Sequence, residues 1–207
     1  MIVLAGRNLA KMEAAKAELD ELGVESHLCK TDIADRPQVQ ALADYAASLG
    51  KVTQVIHTSG VSPSDTASEN IIRINAVGTV NMVEAFYPVL DEGGVMINFS
   101  SVAAYAMSKK FVIYFTQKNV VCFAEKHCRI LSISPGCYLT PMHQKLIDNQ
   151  PETAENQLDL ILTGRWGHPY EMGALTAFLC SSGAGYINGV DILADGGQNA
   201  GIFVPQI

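Results

Sequence analysis

The stretch IVLAGRNLAKMEAAKAELDELGVESHLCK, residues 2–30, decides the fold class. Ile2–Ala5 is a short apolar run suited to a buried strand. Leu9–Leu22 is dense in helix formers, and Gly23 supplies a stop. Val24–Lys30 opens a second β-rich run. The same rhythm continues outward. Asp35-Arg36-Pro37 starts a helix with proline in its first turn. Val52–His57 reads as a strand, and a helical stretch runs from about Glu69 to Leu90, ending before Glu92-Gly93-Gly94. In the second half Val95–Phe99 is strand-like, Tyr105–Lys126 helical, and Arg129–Ser134 a strand ending in Pro135-Gly136. Residues 141–163 form a polar, helix-forming excursion and Tyr170–Ser182 a further helix. Val190–Ala194 is the last strand, closed by Asp195-Gly196-Gly197. Apolar strands alternating with helices predict an α/β fold, a three-layer doubly wound parallel sheet of Rossmann type. With no linker, repeat or low-complexity segment, residues 1–207 read as one domain, with a substrate flap at about 141–165.

The bulk properties narrow the function classes. The chain has 207 residues, 48% hydrophobic and 17% charged, enough to bury a substantial core. Its net charge of -7 repels phosphate, which argues against nucleic acid as a partner. The first apolar run ends at Gly6 and Arg7, too short for a signal peptide. No stretch approaches the roughly 20 apolar residues of a membrane span. Five cysteines without a C-x-x-C pair fit reduced thiols, so the expected location is cytoplasmic. The five histidines show no metal-ligand spacing, and no metal is expected.

The chemistry concentrates in a few motifs. In Tyr105-Ala-Met-Ser-Lys109 the phenol and the ammonium lie one helical turn apart on one face. A neighbouring ammonium favours phenolate, which brings a tyrosine towards acid/base work near neutral pH. Upstream, Ile97-Asn-Phe-Ser100-Ser101 places hydroxyls at the carboxyl end of a strand, where open α/β sheets build their sites. Asn75-Ala-Val-Gly78 lies in the preceding helix. Pro135-Gly136-Cys-Tyr-Leu-Thr140-Pro-Met142, Gly164-Arg-Trp-Gly-His-Pro-Tyr-Glu171 and Tyr186-Ile-Asn-Gly189 follow in order.

These motifs, in this order, resemble the short-chain dehydrogenases/reductases from residue 2 to about 199. The tail from Gly197 to Gln206 is also similar to the bacterial 3α-hydroxysteroid dehydrogenase/carbonyl reductase branch. The resemblance implies a catalytic tetrad of Asn75, Ser101, Tyr105 and Lys109. Tyr105 exchanges a proton with the substrate oxygen, Ser101 hydrogen-bonds that oxygen, Lys109 binds the nicotinamide ribose and keeps the phenol acidic, and Asn75 holds a relay water. Ser101 is chosen over Ser100 because the second serine of such a pair usually has the role, and strand alternation lets only one face the site. For the cofactor the resemblance implies NADP(H) over NAD(H). Arg7 stands where relatives bind the 2′-phosphate, and Gly6 where NAD-preferring members carry an acid. Asp32 and Ile33 match adenine contacts, and Thr58, Ser59 and Gly60 a family Asn-Ala-Gly run. Tyr105, Lys109, Gly136, Leu139 and Thr140 line the nicotinamide side. The expected reaction interconverts a small-molecule carbonyl and a secondary alcohol, in a homodimer or homotetramer built through helices 75–90 and 105–126.

Two departures from the family pattern stand out. The sequence starts at what is usually the second strand, without the first strand and its glycine-rich turn, which leaves a gap in the expected sheet. Only three residues separate Ser101 from Tyr105, where the family has about a dozen. The expectation is that the polypeptide carries both segments in addition to these residues. A non-catalytic binding or regulatory module on the same fold is the alternative reading.

Overall fold

Two short side chains start the helices after the first two strands. The computed structural model describes residues 1–62, 66–101 and 106–203. Strand β1 (Ile2–Gly6) leads to helix α1 (Leu9–Glu21), where the Asn8 side chain accepts a hydrogen bond from the Lys11 amide at 3.1 Å. Strand β2 (Ser26–Lys30) leads to α2 (Arg36–Leu49), where Asp35 accepts from the Gln38 amide and Pro37 occupies the first turn. Each cap satisfies a first-turn amide that has no partner inside the helix. β1 and β2 are parallel, with Ile2 opposite Ser26 and Gly6 opposite Lys30.

The chain divides into two compact units, Met1–Met96 with Val121–Arg129, and Ile97–Val120 with Ile130–Ile207. In the first, β1 pairs with β2, and β3 (Val52–His57) pairs with β4 (Leu90–Phe99). Among the described residues the strands form two sheets, β1–β2 and one that contains β3–β4, which is the gap expected in a parallel sheet without the family's first strand. β3 buries Val55 and His57 while Ile56 is 47% exposed, a half-buried pattern unlike that of an interior parallel strand. The core of this unit comes from Val39, Leu42 and Ala43 of α2 and from Met82, Val83 and Phe86 of α4 (Gly78–Val89). Each larger apolar side chain contributes about 1.5–3 kcal/mol on burial. An Arg36–Glu84 ion pair joins the two helices at the surface. After α6 (Val120–Glu125), the Lys126 ammonium donates to the carbonyls of Tyr87, Pro88 and Leu90 at 2.8, 3.0 and 2.7 Å, capping the end of α4.

In the second unit the end of β4 meets β5 (Arg129–Pro135), with the Ser100 amide donating to Ile133 at 2.7 Å. β5 runs parallel to β6 (Asp191–Ala194), with Ser132 opposite Asp191. Residues 130–134 are buried without alternation, the mark of a strand covered on both faces. Helix α5 (Ala106–Lys118) is tied to β4 by a buried bond of 3.0 Å from the Asn98 amide to the Thr116 hydroxyl. α7 (Pro141–Asn149), α8 (Pro151–Asp159), α9 (Pro169–Cys180) and α10 (Gln198–Phe203) complete it.

Several boundaries differ from expectation for local reasons. β4 begins at Leu90 rather than Val95 and takes in Glu92-Gly93-Gly94, with Gly93 at φ +77°. The helix predicted over Tyr105–Lys126 is interrupted at Asn119, whose side chain donates back to the Phe115 carbonyl at 2.7 Å. The helix predicted over Glu69–Leu90 contains a π-helical stretch, Ile72–Val77, between α3 (Ser68–Ile71) and α4. Among the described residues no helix is long and apolar enough to cross a membrane.

Candidate active site

In the first unit the expected adenine-side residues gather at one end of the β1–β2 pair. The Thr31 amide donates to the Gly6 carbonyl at 2.9 Å, which sets the Gly6-Arg7 turn beside Thr31-Asp32-Ile33. Arg7 is exposed, and no ion pair with it exists among the described residues. One Asp32 carboxylate oxygen accepts from the Ala34 amide at 3.0 Å, fixing the turn from within. Ile33 is buried, and its carbonyl accepts from Asn81 Nδ2 at 2.9 Å. Its side chain lies against Gly78, where an added Cβ would stand 2.6 Å from Ile33 Cδ1. Asn81 and Gly78 therefore support the segment expected on the adenine side; Gly78 closes the Asn75-Ala-Val-Gly78 motif, and Asn81 was not singled out from the sequence. The signal for Asn81 was its place three residues after Gly78, one helical turn on.

Asn75 sits in the π-helical stretch, a feature that recurs at functional sites. Its buried side chain binds the backbone of Val61 twice, accepting from the amide and donating to the carbonyl, both at 2.9 Å. This pair of hydrogen bonds clamps the segment that follows Thr58-Ser59-Gly60. The Asn75 carbonyl accepts from the Thr79 hydroxyl at 2.7 Å.

In the second unit Lys109 is 7% exposed, and its ammonium donates to the Phe99 carbonyl at 3.0 Å. Burial lowers its pKa to about 8. The hydroxyl of buried Ser100 donates to the Lys109 carbonyl at 2.7 Å, so Ser100 is engaged in joining β4 to α5. Ser101, half-buried, is the next residue after this joint. Tyr105 lies outside the described residues. Lys109 and the Ser100–Ser101 pair thus meet at the carboxyl end of β4.

Gly136, Leu139 and Thr140 follow β5. A Cβ on Gly136 would stand 2.6 Å from Asp195 Cα, so only glycine fits there. The Leu139 amide donates to the Gly167 carbonyl at 2.8 Å, and the Thr140 hydroxyl accepts from the His143 amide at 3.3 Å as the N-cap of α7. A cavity of about 270 Å³ lies nearby, lined in part by Cys137, Tyr138, Arg165, Glu171 and Asp195. Cys137 is half-buried, and burial raises its thiol pKa. Glu171 is held near pKa 2 by the Arg165 side chain and the His168 amide. No group of three His, Cys, Asp or Glu suited to a metal ion occurs among the described residues.

The chain is similar to known proteins over most of its length. A family profile described as enoyl-(acyl carrier protein) reductase matches residues 1–199. D-threitol dehydrogenase of Mycolicibacterium smegmatis is 34% identical over 185 residues, covering 80% of this chain and 70% of that protein. 7α-Hydroxysteroid dehydrogenase of Escherichia coli K12 is 28% identical over 198 residues, 87% of this chain and 77% of that one. The crystal structure of a levodione reductase superposes with a TM-score of 0.85 at 26% identity, covering 96% of this chain and 87% of that structure.

Proposed function

The chain belongs to the short-chain dehydrogenase/reductase family of NAD(P)-dependent oxidoreductases, and we propose that it uses NADP(H) to interconvert a carbonyl and a secondary alcohol, with Tyr105 as acid/base. The observation that carries this reading is Lys109. Its buried ammonium has a pKa of about 8 at the end of β4, and the sequence places Tyr105 one turn before it. An ammonium in that position stabilises phenolate and lets Tyr105 give or take a proton at neutral pH. Ser101 orients the substrate oxygen, and Asn75, whose side chain also fixes the Val61 backbone, holds the relay water.

Bound NADP(H) supplies or accepts the hydride. The residues present suit it. Arg7 offers a guanidinium without an ion-pair partner among the described residues, and Gly6 offers no carboxylate to repel a 2′-phosphate. Asp32, Ile33 and the Thr58–Gly60 segment bind on the adenine side, while Lys109, Gly136, Leu139 and Thr140 hold the nicotinamide side. The substrate segment is 141–165, the whole chain serves as one dinucleotide-binding domain, and its location is cytoplasmic. Self-association is supported by exposed apolar side chains on the expected helices: Val77, Met107, Tyr114 and Val121.

Turnover of NADPH with a panel of ketones, compared with NADH, tests the reading. A marked NADH preference defeats the Arg7 assignment, and light scattering tests the oligomer. The three-residue spacing between Ser101 and Tyr105 favours one competitor, a non-catalytic dinucleotide-binding module. That reading predicts binding without turnover.

A further inference from the structure

The excursion that carries α7 and α8 is closed at its root. Tyr138 and Gly167 form an isolated parallel bridge, in which the Gly167 amide donates to the Cys137 carbonyl at 3.0 Å and the Leu139 amide donates to the Gly167 carbonyl at 2.8 Å. The Tyr138 ring packs against Gly167. A Cβ there would stand 2.7 Å from Cδ1 and Cε1, closer than any real contact. The Tyr138 hydroxyl donates to the Ala194 carbonyl at the end of β6, 3.2 Å away. On the outgoing side Arg165 makes two bonds to Glu171, at 2.9 and 2.7 Å, and Glu171 also accepts from the His168 amide at 2.8 Å. The Thr163 amide donates to Gly196 at 3.1 Å.

The consequence falls on the next two residues. The Thr140 amide folds back onto the Tyr138 carbonyl at 2.8 Å, and the Thr140 hydroxyl then caps α7. The position of Leu139 and Thr140 is therefore set by Tyr138, and that of Tyr138 by Gly167 and Ala194. We propose that Tyr138 and Gly167 are positioning residues, a neck that presents Leu139 and Thr140 to the nicotinamide and fixes the root of the substrate segment. The inference rests on the reading of Leu139 and Thr140 as nicotinamide-side residues. It adds a side chain that touches neither cofactor nor substrate yet governs the affinity for the dinucleotide.

A compensation experiment tests it. In Gly167→Ala the new methyl must push the Tyr138 ring aside, and NADPH affinity, read by fluorescence titration of folded protein, should fall about tenfold. In a Tyr138→Ala background there is no ring to displace, so adding Gly167→Ala should change affinity less than about twofold. A neck that only supports the fold would shift the melting midpoint and leave the dissociation constant of the folded protein alone. Unchanged affinity in Gly167→Ala, or the same loss in both backgrounds, overturns the neck while the functional reading stands. Wild-type protein that binds no dinucleotide overturns the functional reading and this inference with it. Amide exchange at Leu139 and Gly167, measured without cofactor, separates the cases, because a neck displaced by Gly167→Ala exchanges faster whether or not NADPH binds.

Discussion

Replacing Lys109 with methionine should make the protein more stable and less active. In the folded state the ammonium is 7% exposed and its pKa is lowered from 10.5 to about 8, with burial as the cause. A depression of that size corresponds to roughly 3 kcal/mol of unfavourable free energy for the charged form. The hydrogen bond to the Phe99 carbonyl offsets about 1 kcal/mol, so Lys109→Met should gain about 2 kcal/mol at pH 7. In a chain of this size that raises the melting midpoint by about 4–8 °C. The pH dependence gives the sharper signature. Below about pH 8 the lysine is protonated in both states and the penalty is fully present. Between about 8 and 10.5 the unfolded chain still binds a proton that the folded chain has released, so wild-type stability rises with pH. Other groups titrate in that range, so the quantity to follow is the difference between wild type and Lys109→Met, from urea unfolding at several pH values. The gap should narrow as pH rises through that range and close before 10.5, where the remaining penalty only balances the hydrogen bond. A gap that stays constant, or a less stable variant, refutes the reasoning.

Further outcomes follow from individual contacts. Gly78→Ala brings a methyl 2.6 Å from Ile33 Cδ1, and the overpacking cost of about 1–3 kcal/mol outweighs a helix-propensity gain of about 1, so the melting midpoint should fall by a few degrees. Calorimetry checks the sign. Arg7→Ala should raise KM for NADPH about tenfold and leave NADH nearly unaffected, because only the 2′-phosphate loses its charge-assisted bond. Steady-state kinetics with both cofactors decide it. Glu171 is held near pKa 2, so its stabilising contribution is present above about 4.5 and is lost as pH falls through 2. Acid titration of Glu171→Gln beside wild type should show the two converging at the acid end.

The alternation of strands and helices was legible because buried parallel strands and amphipathic helices write different periods into a sequence. The caps Asn8 and Asp35 act locally, and Asp35 was read as a helix start without its partner. What escaped depends on residues distant in the chain or on one side chain redirecting the backbone. Nothing local to Leu90 signals that a strand begins there, since its neighbours Gly93 and Gly94 read as a stop. Asn119 looks like any helical polar residue until its amide turns back to Phe115. α10 follows two glycines and is too short to show a period. At the candidate site Lys109, Ser101 and Arg7 were named from motifs. The engagement of Ser100 with Lys109, the clamp of Asn75 on Val61 and the Tyr138–Gly167 bridge are visible only in three dimensions.

In the proposed reaction Tyr105 moves the proton while the dinucleotide moves the hydride. The most direct measurement compares wild type with Tyr105→Phe for NADPH binding and for NADPH oxidation in the presence of a ketone panel. The two proteins should have similar dissociation constants, with turnover of Tyr105→Phe lower by about 10²–10⁴-fold, the usual contribution of a positioned acid/base. Turnover retained in Tyr105→Phe, or wild-type protein that binds NADPH and oxidises none of it, would rule out Tyr105 as the acid/base.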